Sequence, residues 1–163
     1  MEFDVNAVQK TMIGHAALII LVAFVAGLGL LVSLLGGIEV LPGHIVTVPI
    51  FGTEDGWRIA HLGGLVNGMF VWLVALCLPV LRGSARFTRT LANMLIGTGW
   101  ANTLFYWAAL LSPNAALSFG PNRFGSANWA SIVGLLPALV FVFVASAAMV
   151  MVAVQAFGEA AAK

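Results

Sequence analysis

Charge is what this chain has least of. Only 8% of its 163 residues are Asp, Glu, Lys or Arg, where soluble domains carry roughly 25%. Seven basic against six acidic residues leave a formal net charge of +1. That excludes the basic surface a nucleic-acid partner needs. Cys77 is the one cysteine, so no disulfide forms within the chain. It sits in an apolar run and reads as a small buried residue. There is no HExxH, no CxxC, no Ser-His-Asp or Cys-His set and no phosphate-binding glycine loop, which removes the common hydrolytic, redox and nucleotide motifs. Internal repeats and low-complexity tracts are also missing. The start, Met1-Glu2-Phe3-Asp4, is acidic, and the first apolar run is too long for a signal h-region, so no cleavable signal peptide is expected.

Apolar residues fill the space. They make up 61% of the chain, and the mean hydropathy is +1.05. Such a chain cannot cover itself in water, so its solvent must be lipid. Apolar runs over 11–35, 59–81, 91–111 and 129–157 are each long enough to cross a bilayer, which takes about 20 residues. The last exceeds that need and is expected to tilt or extend beyond the membrane. The expected fold is all-α: one integral membrane four-helix bundle over 1–163.

Lysine and arginine set the orientation. Arg82, Arg86 and Arg89 lie between the second and third runs, and Lys10 and Lys163 flank the termini. Only Arg58 and Arg123 fall in the other two loops. Both termini are therefore expected in the cytoplasm. The outer loops are turn-rich. Residues 36–56 hold Gly36-Gly37, Pro42-Gly43, Pro49 and Gly52 around the β-favouring Ile45-Val46-Thr47-Val48. The third loop reads Ser112-Pro113-Asn114 and then Phe119-Gly120-Pro121-Asn122-Arg123-Phe124-Gly125. They are too apolar for plain linkers and read as a folded lid.

Polar side chains at membrane depth are costly, so each is a functional candidate. Thr98, Asn102 and Tyr106 recur every four residues and share one helical face. Each has a structural alternative: backbone bonding for Thr98, helix–helix glue for Asn102, an interface anchor for Tyr106. His61 and Asn67 stand roughly 120° apart around the second span and roughly 9 Å apart along it. They do not touch, yet can address different parts of one bulky ligand. His61 reads either as a hydrogen-bonded structural histidine or as a metal or haem ligand. The four side chains of His61, Asn67, Asn102 and Tyr106 converge in the outer half of the bilayer. His15 lies on the cytoplasmic side, roughly 25 Å of helix rise from the level of His61, so the two cannot share one iron within a protomer. His44 reads as a loop surface residue. The expected metal site has one protein ligand and one open face. The glycines Gly14, Gly27, Gly29, Gly97, Gly99 and Gly134 read as close helix packing.

Three segments carry a family resemblance. Ala60-His61-Leu62-Gly63 with Asn67-Gly68-Met69, Gly99-Trp100-Ala101-Asn102 with Phe105-Tyr106, and the Phe119–Gly125 motif resemble the styrene oxide isomerase family, over nearly the whole chain. The resemblance implies a homotrimer of four-helix subunits in a bacterial-type inner membrane, with haem b between neighbouring subunits. The family's axial histidine falls on His61, and its substrate-contacting residues on Asn67 and Tyr106. The implied reaction is the Meinwald rearrangement of an aryl epoxide to an aldehyde, with ferric haem as Lewis acid and no net redox change. Tyr106 and Asn67 would orient the oxygen and stabilise its developing charge. An apolar pocket would keep water from trapping the cation as a diol. Asn102, Arg123 and Arg58 group with the cofactor-binding residues; the two arginines either pair with haem propionates or form loop salt bridges to Glu54 or Asp55. Phe105, Trp107 and Trp100 are pocket walls or packing aromatics. Implied partners are the aryl epoxide, membrane lipid and an epoxide-producing monooxygenase. The chain departs from the family pattern at Thr98, where an acid precedes Gly-Trp-Ala-Asn, and at His44, where the family has an aromatic residue. The alternatives are a non-catalytic membrane b-type haem protein, acting as sensor or electron carrier, and a haem-free scaffold.

Overall fold

The computed structural model describes residues 5–161. The acidic start at 1–4 and Lys163 lie outside them. In chain order the elements are α1 (Val5–Leu35), β1 (Gly37–Leu41), β2 (His44–Thr47), α2 (Glu54–Leu81), α3 (Ala85–Leu110) and α4 (Trp129–Ala161). Each apolar run lies on one helix, but α1, α2 and α3 begin five or six residues before the run does. Hydropathy marks the part of a helix that lipid tolerates; a cap marks where the helix starts. The Thr53 side chain accepts from the Gly56 N–H at 3.0 Å and Ser84 from the Phe87 N–H at 3.2 Å, as N-cap residues do. Glu54 and Asp55 then occupy the first turn of α2, where the helix dipole favours them.

Helices α1, α2 and α4 are long and apolar enough to cross a membrane. With 26 residues, α3 is long enough but less apolar, because it carries Thr88, Asn93, Thr98, Asn102, Thr103 and Tyr106. It packs against all three other helices. The polar helix is thus central, and α1 and α4 flank it. The flanking helices expose Leu21, Phe24 and Leu28 on one side and Phe143, Val150 and Val154 on the other, an apolar surface that lipid covers and water would not. Cys77, expected to be buried, is exposed on α2. In lipid an apolar thiol needs no protein cover.

Backbone groups freed inside the bundle are answered by side chains. Pro79 lies within α2 and has no N–H, which leaves the Ala75 carbonyl without its helical donor. The Gln9 amide reaches across from α1 and donates to that carbonyl at 3.0 Å. At the end of α2, the Leu81 carbonyl accepts from the Gln155 amide of α4 at 3.1 Å.

The two long loops, 36–53 and 111–128, each hold a defined structure. β1 and β2 form an antiparallel hairpin. Its turn is Pro42-Gly43, with Gly43 at φ +80°, the residue and sign a type II turn needs at its third position. The strands are largely exposed rather than laid over the bundle. What closes on the helices is the segment after them, where Trp57 is buried and donates its indole N–H to the Phe51 carbonyl at 2.8 Å. The second loop is knotted around Asn114, which is completely buried. Its Oδ1 accepts from Ser112 Oγ at 2.6 Å, Ser131 Oγ at 2.9 Å and the Ala116 N–H at 3.1 Å. Its Nδ2 donates to the carbonyls of Ser118 at 2.8 Å and Gly120 at 3.0 Å. These bonds hold Ala115 and Ala116 at φ +55° and +52°, a left-handed conformation costing roughly 1–2 kcal/mol per residue. Asn114→Ala is expected to destabilise the folded chain by about 1–3 kcal/mol, through stranded partners and released strain. Thermal unfolding in detergent checks this; an unchanged midpoint would remove Asn114 as the organiser of the loop.

Candidate functional site

The site begins with how closely α1 and α2 approach. Bulky residues of one helix sit on glycines of the other. A Cβ on Gly29 would collide with the Trp57 ring, and one on Gly27 would lie 2.8 Å from Cε1 and Nδ1 of His61. A Cβ on Gly64 would lie 2.8 Å from that of Ala23. This seam seats the His61 imidazole over Gly27, with Nδ1 2.8 Å from the Ala23 carbonyl. A carbonyl only accepts, so Nδ1 carries the hydrogen. Nε2 then keeps its lone pair. Metal-ligating histidines are commonly oriented by this bond, so the donor chemistry of His61 fits an axial ligand. Among the described residues no three of His, Cys, Asp and Glu converge on one point.

A second centre lies between α2 and α3. Asn67 is buried, and its Nδ2 donates to the Gly99 carbonyl at 2.8 Å. The Asn102 amide donates to Asn67 Oδ1 at 3.4 Å. Together these bonds fix which way the Asn67 amide faces. Tyr106 lies one turn further along α3, against bare Gly63: a Cβ there would stand 2.8 Å from two ring carbons and 3.2 Å from the hydroxyl. Phe105 meets Tyr106 edge-on at 5.7 Å between centroids. Asn67 and Asn102 are thus brought together, and Tyr106 rests on Gly63, one turn of α2 before Asn67. His61 lies within roughly 9 Å of helix rise of Asn67 but meets α1, whereas Asn67 meets α3.

Thr98 is buried and donates to the Met94 carbonyl at 2.8 Å, the backbone-bonding role. Trp107 packs edge-on against Trp57 at 5.7 Å and belongs to the core. Arg58 is exposed and pairs with Asp55, an ion pair weak enough to be exchanged. The Arg123 guanidinium lies 4.6 Å over the Phe124 ring. His44 is exposed on β2, as read.

His15 is placed differently from expectation. His15 lies within α1, half-buried, against Trp100 of α3. The level of His61, between Ala23 and Gly27, is then about 15 Å away, at 1.5 Å per residue, and not 25 Å. The Trp100 indole N–H donates to His15 Nδ1 at 3.1 Å. That lone pair is occupied, so neutral His15 carries its hydrogen on Nε2. The two intramembrane histidines therefore hold opposite tautomers, and the one with a free nitrogen lone pair is His61. Spacing of side chains could not show this, because the partners are a backbone carbonyl and a residue 85 positions away.

An apolar helical bundle, three of whose helices are long and apolar enough to cross a membrane, with a pair of amides meeting between α2 and α3, is the framework of a membrane protein. Comparison with known proteins specifies which. Residues 8–157 match the family model for styrene oxide isomerase. The chain is 39% identical over 151 residues to a styrene-oxide isomerase from Pseudomonas fluorescens, covering 93% of this chain and 89% of that one. The chain belongs to the styrene oxide isomerase family, and it is an isomerase.

Tyr106 is the single tyrosine, so its spectrum reports on this centre alone. Gly63→Ala is expected to displace its ring and alter the tyrosine Raman doublet, with helical content unchanged. An unaltered doublet would mean that Tyr106 does not rest on Gly63.

Proposed function

We propose that this protein is a haem-dependent epoxide isomerase that converts styrene oxide-type aryl epoxides into aldehydes. The observation that carries the reading is the amide–phenol centre: Asn67, locked by Gly99 and Asn102, beside Tyr106 on Gly63. The name of the Pseudomonas fluorescens relative supplies the substrate class. On this reading α3 crosses the membrane with the other three helices, its polar face covered by α1, α2 and α4, and the termini lie in the cytoplasm of a bacterial-type inner membrane.

His61 would hold the haem iron through Nε2, with Arg58 and Arg123 available to the propionates on the outer side. When bound, a ferric haem would supply a Lewis-acidic iron. Since His61 and the Asn67–Tyr106 centre lie on different faces of α2, a second copy of the chain would complete a site containing both, in keeping with a homotrimer carrying haem between subunits. The Tyr106 hydroxyl donates a hydrogen bond to the epoxide oxygen. Asn67 presents its remaining amide hydrogen to the same oxygen, its other hydrogen being committed to Gly99. Both donors stabilise the charge that develops there as the benzylic C–O bond opens. A hydride then shifts from the neighbouring carbon to the benzylic cation, and that carbon becomes the aldehyde. No electron is gained or lost overall. Apolar walls, Phe105 among them, keep water from adding to the cation.

The purified holoprotein, incubated with styrene oxide, is expected to yield phenylacetaldehyde. Product absent, with haem fully loaded, would leave a non-catalytic membrane haem protein as the better account. His61→Ala is expected to lose the Soret band; normal haem content in that variant would overturn the ligand assignment. Tyr106→Phe is expected to retain haem and slow turnover roughly hundredfold, and an unchanged rate would remove the hydroxyl from the mechanism.

A further inference from the structure

The reading above leaves His15, among the described residues, without a role. His15 ties α1 to α3 through the Trp100 indole, and the rings meet edge-on at 6.4 Å. Trp100 directly follows Gly99, the residue that Asn67 grips from α2. Two consecutive residues of α3 are thus bolted to two different helices. Ile19, one turn beyond His15, presses on the bare side of Gly99, where a Cβ would stand 2.6 Å from its Cδ1. Such a three-way contact fixes both the height and the rotation of α3.

We propose that His15 is a positioning residue for the isomerisation: through Trp100 it sets the rotation of α3, and so the placement of Asn102 and Tyr106 against Asn67. The proposal rests on the reading of Asn67 and Tyr106 as substrate contacts. Asn102 and Tyr106 follow Trp100 by about 3 Å and 9 Å of helix rise. On a helix about 11 Å across, a 10° turn moves a side-chain tip by about 1 Å, and a misplacement of about 1 Å can cost a hundredfold in rate. The bond needs an acceptor at the Nδ1 position, so the imidazole must be neutral. An apolar replacement would leave the indole N–H without its partner in a setting that offers no water.

The test uses the haem-loaded protein with styrene oxide as substrate, and ultraviolet resonance Raman to read the indole N–H. His15→Phe is expected to lower kcat by about tenfold or more, to change KM by less than about threefold and to lose the hydrogen-bonded indole component. Trp100→Phe should do the same to kcat, and the double variant should be no slower than either single one, since both remove one bond. His15→Asn, whose Oδ1 stands where Nδ1 does, should restore most of kcat and the indole component. Should His15→Phe fail to assemble, Trp100→Phe and His15→Asn carry the same expectations. A kcat within about twofold of wild type in the single variants, additive losses in the double variant, or an unchanged indole signal in His15→Phe would overturn the proposal. An inactive wild type overturns the functional reading along with this one; an active wild type with unaffected His15 variants overturns only this one.

Discussion

A hydrocarbon solvent offers no hydrogen bond, and the interior of this bundle is organised around that constraint. Among the described residues no buried side-chain nitrogen or oxygen lacks a partner. Several partners are backbone carbonyls of another helix: Ala75 for Gln9, Ala23 for His61, Gly99 for Asn67, Leu81 for Gln155. Each such bond both satisfies a polar group and sets how two helices lie. In water the same groups would bond solvent and set nothing.

Small residues make these bonds reachable. A side-chain amide or imidazole spans to a neighbouring backbone only if the helices approach closely, and Gly27, Gly63, Gly64 and Gly99 provide that approach. The consequence is a division of labour along α2. One face, over α1, holds His61 with its Nε2 lone pair free. The other, toward α3, holds Asn67 with its amide orientation determined by Gly99 and Asn102. The imidazole and the amide are oriented by the same device, on faces of one helix roughly 120° apart.

Much of this was legible in the chain. Four long apolar runs became four helices, and the four-residue spacing of Asn102 and Tyr106 placed them on one face. What hydropathy missed were the helix starts, because Thr53 and Ser84 cap their helices in polar sequence ahead of the apolar run. Turn chemistry marked the outer loops as ordered but did not distinguish the exposed hairpin from the Asn114 knot. That difference depends on which carbonyls Asn114 can reach. The separation of His15 from His61 was overestimated because the contacts that set the level of His61, at Ala23 and Gly27 of α1, are not written in hydropathy.

The sequence by itself determined the solvent, the number of helices and the kinds of polar side chain kept inside, since these follow from composition and from one-dimensional spacing. The tertiary structure alone decided which nitrogen of each histidine carries the hydrogen, which way Asn67 faces and which side of α2 His61 occupies. Those properties belong to pairs of groups on different helices, and no spacing along a single helix contains them.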